Sequence, residues 1–146
     1  MPSTHTSLHY HLIFATKHRK PLIAAEWRSD LHAYLGGTLK GLGAHPQGIG
    51  GVADHVHLLV SLKPTARLSA CLRELKKAAS VWVQQRCADF HWQEGYAAFT
   101  VSASALESVR RYIANQEEHH RKKTFSEELV EFLKKTGVAY DPRYLE

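Results

Sequence analysis

Cysteine is scarce in this sequence, with two among 146 residues, Cys71 and Cys87. They lack CxxC spacing and stand too far apart on one expected helix to be bridged within it. Plain packing roles in a reducing compartment follow. Long apolar runs are missing too. No stretch approaches the ~20 consecutive apolar residues of a membrane helix, so no membrane partner is expected. The opening MPSTHTSLHYH has no basic segment followed by an apolar core, which argues against a signal peptide. Repeats, low-complexity segments and domain linkers are also absent. The expectation is one soluble, cytoplasmic domain over residues 1–146, with 44% hydrophobic residues to fill its core.

What the chain does carry is positive charge and histidine. Nineteen Lys and Arg stand against 14 Asp and Glu, a formal charge of +5, and there are 11 His. The positive charge gathers in short clusters: ATKHRKP (15–21), RELKK (73–77) and HHRKK (119–123). Each alone reads as a solvated face. Three of them around a histidine site point to phosphate binding.

LHYHLIFAT (8–16) alternates like a strand, with Leu8, Tyr10, Leu12 and Phe14 on one face. Trp27, Leu31, Tyr34 and Leu35 mark a helix over about 24–39, weakened by Gly36-Gly37. GLGAHPQGIGG (41–51) leaves room for a short strand and a turn, and a further strand follows before Lys63-Pro64. Leu68, Leu72, Leu75, Ala79 and Trp82 define a long amphipathic helix reaching about Arg86. Residues 97–102 form a short strand. Ser104–Glu107 and Thr124–Glu127 are both capping-box patterns, the first opening a helix to about Glu118, the second a helix stopped by Gly137. The tail GVAYDPRYLE reads as irregular. The order β-α-β-β-α-β predicts an α+β, ferredoxin-like (RRM-like) antiparallel sheet with helices on one face, plus a C-terminal catalytic helix. LHYHLIFAT would lie beside ADHVHLLVSL, with the site on the exposed sheet face.

Within GVADHVHLLVSL (51–62), the period of two puts Val56, Leu58, Val60 and Leu62 on one side. His55, His57, Leu59 and Ser61 face the other way. Two imidazoles on neighbouring pleats can share one cation or one phosphate. His9 and His11 form a second HxH pair and compete with them on pattern alone. Further along, Tyr112 and Gln116 stand four residues apart on an expected helix. A phenol is a nucleophile and an amide oxygen suits a hard cation. On its own the YxxxQ spacing is common to many amphipathic helices.

Together, GGVADHVHLLVSL, RELKK, FHWQEGYAAFTVS, RYIANQEEHHRKKTFSEEL and GVAYDPRYL resemble the single-strand DNA transposases of the HUH class, the IS200 and IS605 type. The resemblance runs over nearly the whole chain. It implies metal ligation by His55, His57 and Gln116, with Mg²⁺ or Mn²⁺ as cofactor, and Tyr112 as the nucleophile that attacks a DNA phosphate. It also implies a 5′-phosphotyrosine intermediate, substrates that are single-stranded DNA with hairpin ends, and a homodimer whose active sites are shared between subunits. Attack would leave a free 3′-hydroxyl able to reverse the reaction. No base for the phenol is evident in the sequence.

For DNA backbone contacts the candidates are Lys17, His18, Arg19, Lys20, Arg73, Lys76 and Lys77. Trp92, Tyr96 and Phe99 are candidates for base stacking, with core packing the default for Phe99. His9 or His11 would serve as donors behind the metal ligands. His119 and His120, at a helix end, read as caps. Two alternatives stand beside the transposase: a domesticated host nicking enzyme of the same class, and a ferredoxin-like nucleic-acid-binding module without cleavage.

Overall fold

The computed structural model describes residues 3–144. Residues Met1, Pro2, Leu145 and Glu146, including the end of the expected irregular tail, lie outside the described residues. Strand β1 (His9–Ala15) leads through a 3-10 turn (Lys17–Arg19) to helix α1 (Ala25–Gly41). Strands β2 (His45–Gly51) and β3 (His55–Ser61) form a hairpin, followed by α2 (Leu68–Gln84) and β4 (Ala97–Val101). The chain ends in α3 (Leu106–Ala114), α4 (Gln116–His119) and α5 (Phe125–Thr136). The antiparallel sheet has the order β2-β3-β1-β4. This is the expected α+β, ferredoxin-like arrangement, with β1 and β3 at its centre.

Register fixes the two faces. Leu12 pairs with Leu58 and Phe14 with Val56. These side chains pack with Leu31, Leu35 and Leu39 of α1 and with Leu72, Leu75 and Ala79 of α2. Helix α1 runs through Gly36-Gly37 because its buried leucine stripe outweighs the glycine penalty of about 1 kcal/mol each.

The other face differs from the expected open surface. Ile13, Ala15 and Phe99 pack against Phe125 and Leu133 of α5, while Leu59 and Val101 pack against Ile113 of α3. The sheet is therefore covered on both sides. The cause lies in the strands themselves, whose histidine face also carries Ile13, Leu59, Phe99 and Val101, too apolar to remain in water. Gly50 lets α3 settle there, because a Cβ at this position would come within 2.3 Å of the Ile113 carbonyl oxygen.

The two capping-box patterns diverge. Thr124 and Glu127 form the reciprocal pair at the start of α5, and Gly137 ends that helix in the left-handed conformation. At Ser104 no box forms. A 3-10 turn (Ala103–Ala105) places Ser104 inside the entry, where its hydroxyl meets Ser102 at 3.1 Å. Glu107 turns instead to Arg110. The expected helix to Glu118 also breaks at Asn115, so Tyr112 ends one helix and Gln116 begins the next.

Candidate active site

Strand β3 delivers His55 and His57 to the same face, and both are fully buried. The Asp54 carboxylate accepts from Nδ1 of His55 at 2.7 Å, while Nε2 of His55 lies 3.0 Å from the Gln116 amide oxygen. On β1, Nε2 of His11 lies 2.7 Å from Nδ1 of His57. His11 thus backs the β3 pair, while His9 turns to Gln47 at 2.9 Å. That pairing leaves Nε2 of His57 to donate to Glu128, at 2.9 Å.

Glu128 is the residue that sequence reasoning missed. It is 1% exposed, in the first turn of α5, and its two oxygens gather the site. Oε1 takes His57 and, at 3.1 Å, His120. Oε2 takes the Gln116 amide at 3.0 Å and the Tyr112 hydroxyl. His119 lies 3.2 Å from that hydroxyl. His120 donates from Nδ1 to the Lys123 carbonyl, which fixes its ring toward the carboxylate. The HH pair therefore enters the site rather than only capping a helix. Although α3 and α4 are separate, Tyr112 and Gln116 still converge, on one carboxylate oxygen.

One signal for Glu128 was present in the sequence. Phe125, Glu128, Leu129, Phe132 and Leu133 share one helical stripe, so a carboxylate stands on the face meant for the core. Such a carboxylate must be paired.

The electrostatics follow from this packing. Burial opposes charge on His55, but the Asp54 and Glu128 carboxylates outweigh it and raise its pKa to about 9. Burial lowers His57 to about 4 despite Glu128, and lowers His11 to about 3 with help from His57. Burial alone would raise Glu128, yet His120, His55 and His57 hold its carboxyl well below the usual range. Burial and the Glu128 carboxylate push the Tyr112 phenol well above its ordinary value.

One donor atom each from His55, His57, His120 and Glu128 lies within 4.8 Å of the others, a group able to hold a metal ion. The Tyr112 ring lies 5.8 Å from that of His57.

The cationic candidates divide. His18 and Arg19, both with positive φ, line a groove of about 920 Å³ together with Asp54, His120, Arg121, Lys122 and Lys123. Lys17 and Lys20 flank a smaller hollow beside His91. Arg73, Lys76 and Lys77 stand on α2, across the sheet from the histidines. Arg73 pairs with Glu74 at 3.5 Å. Lys76 donates to the carbonyls of Gln93 (2.8 Å) and Gly95 (2.7 Å). Trp92 packs in the core against Phe14 and Phe90, and Phe99 stacks on Phe132, leaving Tyr96 exposed.

A ferredoxin-like sheet with a buried histidine pair on its third strand is the frame of this chain, and the class of protein is shown by its sequence: a transposase. The chain belongs to that class as a member of the IS200-like transposase family, whose model matches residues 4–116. The match ends at Gln116, so His120 and Glu128 lie beyond it. No curated protein matches the chain. A crystal structure from Deinococcus radiodurans R1, described as a transposase, is 24% identical with a TM-score of 0.63, covering 80% of this chain and 96% of its own. A REP-associated tyrosine transposase bound to a REP hairpin is 14% identical with a TM-score of 0.59, covering 82% and 74%. At these identities the likeness is one of fold. Among the described residues, no helix is long and apolar enough to cross a membrane.

Proposed function

We propose that this chain is a metal-dependent transposase that cleaves and rejoins single-stranded DNA at insertion-sequence ends, with Tyr112 as nucleophile. The observation that carries the reading is the convergence of the Tyr112 hydroxyl and Gln116 with His55 and His57 around one carboxylate. Three imidazoles and a buried carboxylate are a donor set that fits a divalent ion. His55, His57, His120 and Glu128 would hold it, with the Gln116 amide oxygen beside them. The ion of this reading is Mg²⁺ or Mn²⁺, as the resemblance implies. When bound, such an ion polarises a nonbridging phosphate oxygen and offsets charge on the phosphate.

The chain's own residues do the rest. Asp54 and His11 fix the rings of His55 and His57 from behind. Glu128 accepts the phenol's hydrogen bond and so holds the nucleophile over the imidazoles. In the reaction a bond forms between the Tyr112 oxygen and phosphorus as the bond to the 3′-oxygen breaks, the phenolic proton passing to solvent water and an equivalent proton returning from water to the leaving oxygen. The leaving oxygen thus becomes a 3′-hydroxyl, and the 5′-phosphate stays on tyrosine. Attack by a 3′-hydroxyl on that phosphotyrosine runs the step backwards and joins strands, with no nucleotide cofactor.

The groove lined by Arg19, Arg121, Lys122 and Lys123 supports a phosphate backbone path to the tyrosine. The hairpin held by the REP-associated neighbour supports hairpin DNA as the substrate here. A homodimer belongs to this reading. The resemblance supports active sites shared between its subunits, and within one chain the Tyr112 ring lies 5.8 Å from that of His57.

Single-stranded oligonucleotides from the DNA flanking the gene, incubated with the protein and Mn²⁺ or Mg²⁺, should give a covalent protein–DNA band on a denaturing gel. EDTA or Tyr112→Phe should abolish it. A band that survives Tyr112→Phe overturns the nucleophile. Metal-independent binding with no band would favour the non-catalytic module.

A further inference from the structure

A second cavity opens beside the site, at the free edge of β4. It measures about 470 Å³ and is lined by Tyr96, Phe99, Phe125, Leu129 and Leu133, with Gln93 and Glu94 among its polar residues. We propose that it receives one unpaired nucleobase of the DNA strand that passes Tyr112. The proposal rests on the DNA-cleaving reading above and names how the strand is gripped.

Three observations favour a base as the occupant. First, the cavity adjoins the candidate active site, with Phe125 as the shared wall. The Phe125 ring lies 4.6 Å from that of His55, and Phe99 stacks at 5.4 Å on Phe132, itself 5.7 Å from Tyr112. A base here belongs to a nucleotide whose phosphates run toward the tyrosine. Second, the cavity falls within the ~300–1,000 Å³ of small-molecule sites, and its aromatic and aliphatic walls suit a flat π-system. Tyr96 is 44% exposed, so a stacking face is presented rather than consumed by the core. Third, the rim is held in advance. The Lys76 ammonium binds the Gln93 and Gly95 carbonyls and so ties the 93–95 loop that carries Tyr96 to α2. A fixed loop reduces the ordering cost of binding.

The test uses the four deoxynucleoside 5′-monophosphates, titrated into ¹⁵N-labelled full-length protein in EDTA. Deoxyribose 5-phosphate serves as the baseless control. At least one nucleotide should shift the amides of Gly95, Tyr96, Leu129 and Leu133 saturably, and the control should not. Tyr96→Ala should weaken that binding about tenfold, at the low end for loss of one base–aromatic stack. Tyr96→Trp should restore it. Four results would each overturn the proposal: no saturable shift at these amides, equal shifts with the control, indifference to Tyr96→Ala, or shifts that follow protein concentration, which make the cavity a self-association surface. Because the titration needs neither metal nor Tyr112 chemistry, it stands apart from the covalent-band experiment. A failed band with saturable shifts would sink the cleavage reading alone.

Discussion

A carboxylate inside a protein is costly unless its oxygens are occupied, and Glu128 meets that cost with two histidines, an amide and a phenol. Glu128→Ala should leave His57, His120, Gln116 and Tyr112 facing a void, and denaturant unfolding should show a loss of about 3–5 kcal/mol. Residue by residue, the site was half legible. His55 and His57 could be read because strand alternation is a local rule, and two imidazoles breaking an apolar alternation stand out. Tyr112 and Gln116 were marked by the resemblance instead, because their interval is a common one and the helix expected to carry both breaks at Asn115. Glu128 and His120 were obscured because their roles arise only when α5 folds back on the sheet. No spacing links position 128 to position 57, and the only trace was a charge on the apolar stripe of α5.

Elements set where the tyrosine stands. Helix α3 reaches the sheet because Gly50 offers no side chain beneath the Ile113 carbonyl. Gly50→Ala would place a Cβ 2.3 Å from that oxygen and 3.0 Å from the Ile113 side chain. Stability should fall by about 1–3 kcal/mol. The displaced α3 should also slow the covalent step about a hundredfold under conditions where the variant remains folded, since an error near 1 Å in a reacting group has that cost. Rates of adduct formation alongside circular dichroism would check both effects. Element boundaries were legible where a local motif decides them, as at Thr124 and Gly137. They were illegible where tertiary geometry decides, as at the break at Asn115 and the 3-10 entry that absorbs Ser104.

The whole molecule is a sheet between two helical layers, and its metal-free stability should peak near pH 6.5. In the fold, His57 stays neutral down to about 4 and His11 to about 3, whereas the unfolded chain binds those protons from 6.5 downward. Acid therefore favours unfolding, each group removing on the order of 1 kcal/mol per pH unit between 6.5 and its folded value. His55 acts in the opposite direction. Its proton is retained up to about 9, so its contribution is complete below 6.5 and is lost as pH rises through 9. Urea midpoints measured in EDTA across pH 4–9 should trace this maximum. The layer over the histidines was the part of the architecture least apparent beforehand, because β-α-β-β-α-β places the sheet and its first two helices and leaves the two closing helices assigned but not placed.

That closing layer has a kinetic consequence. With His55 and His57 buried under α5 and Glu128 buried on that helix's inner face, entry of an ion is expected to require the helix to part from the strands. Stopped-flow loading with Mn²⁺ should therefore reach a plateau rate as concentration rises, the ceiling being the frequency at which the door swings open.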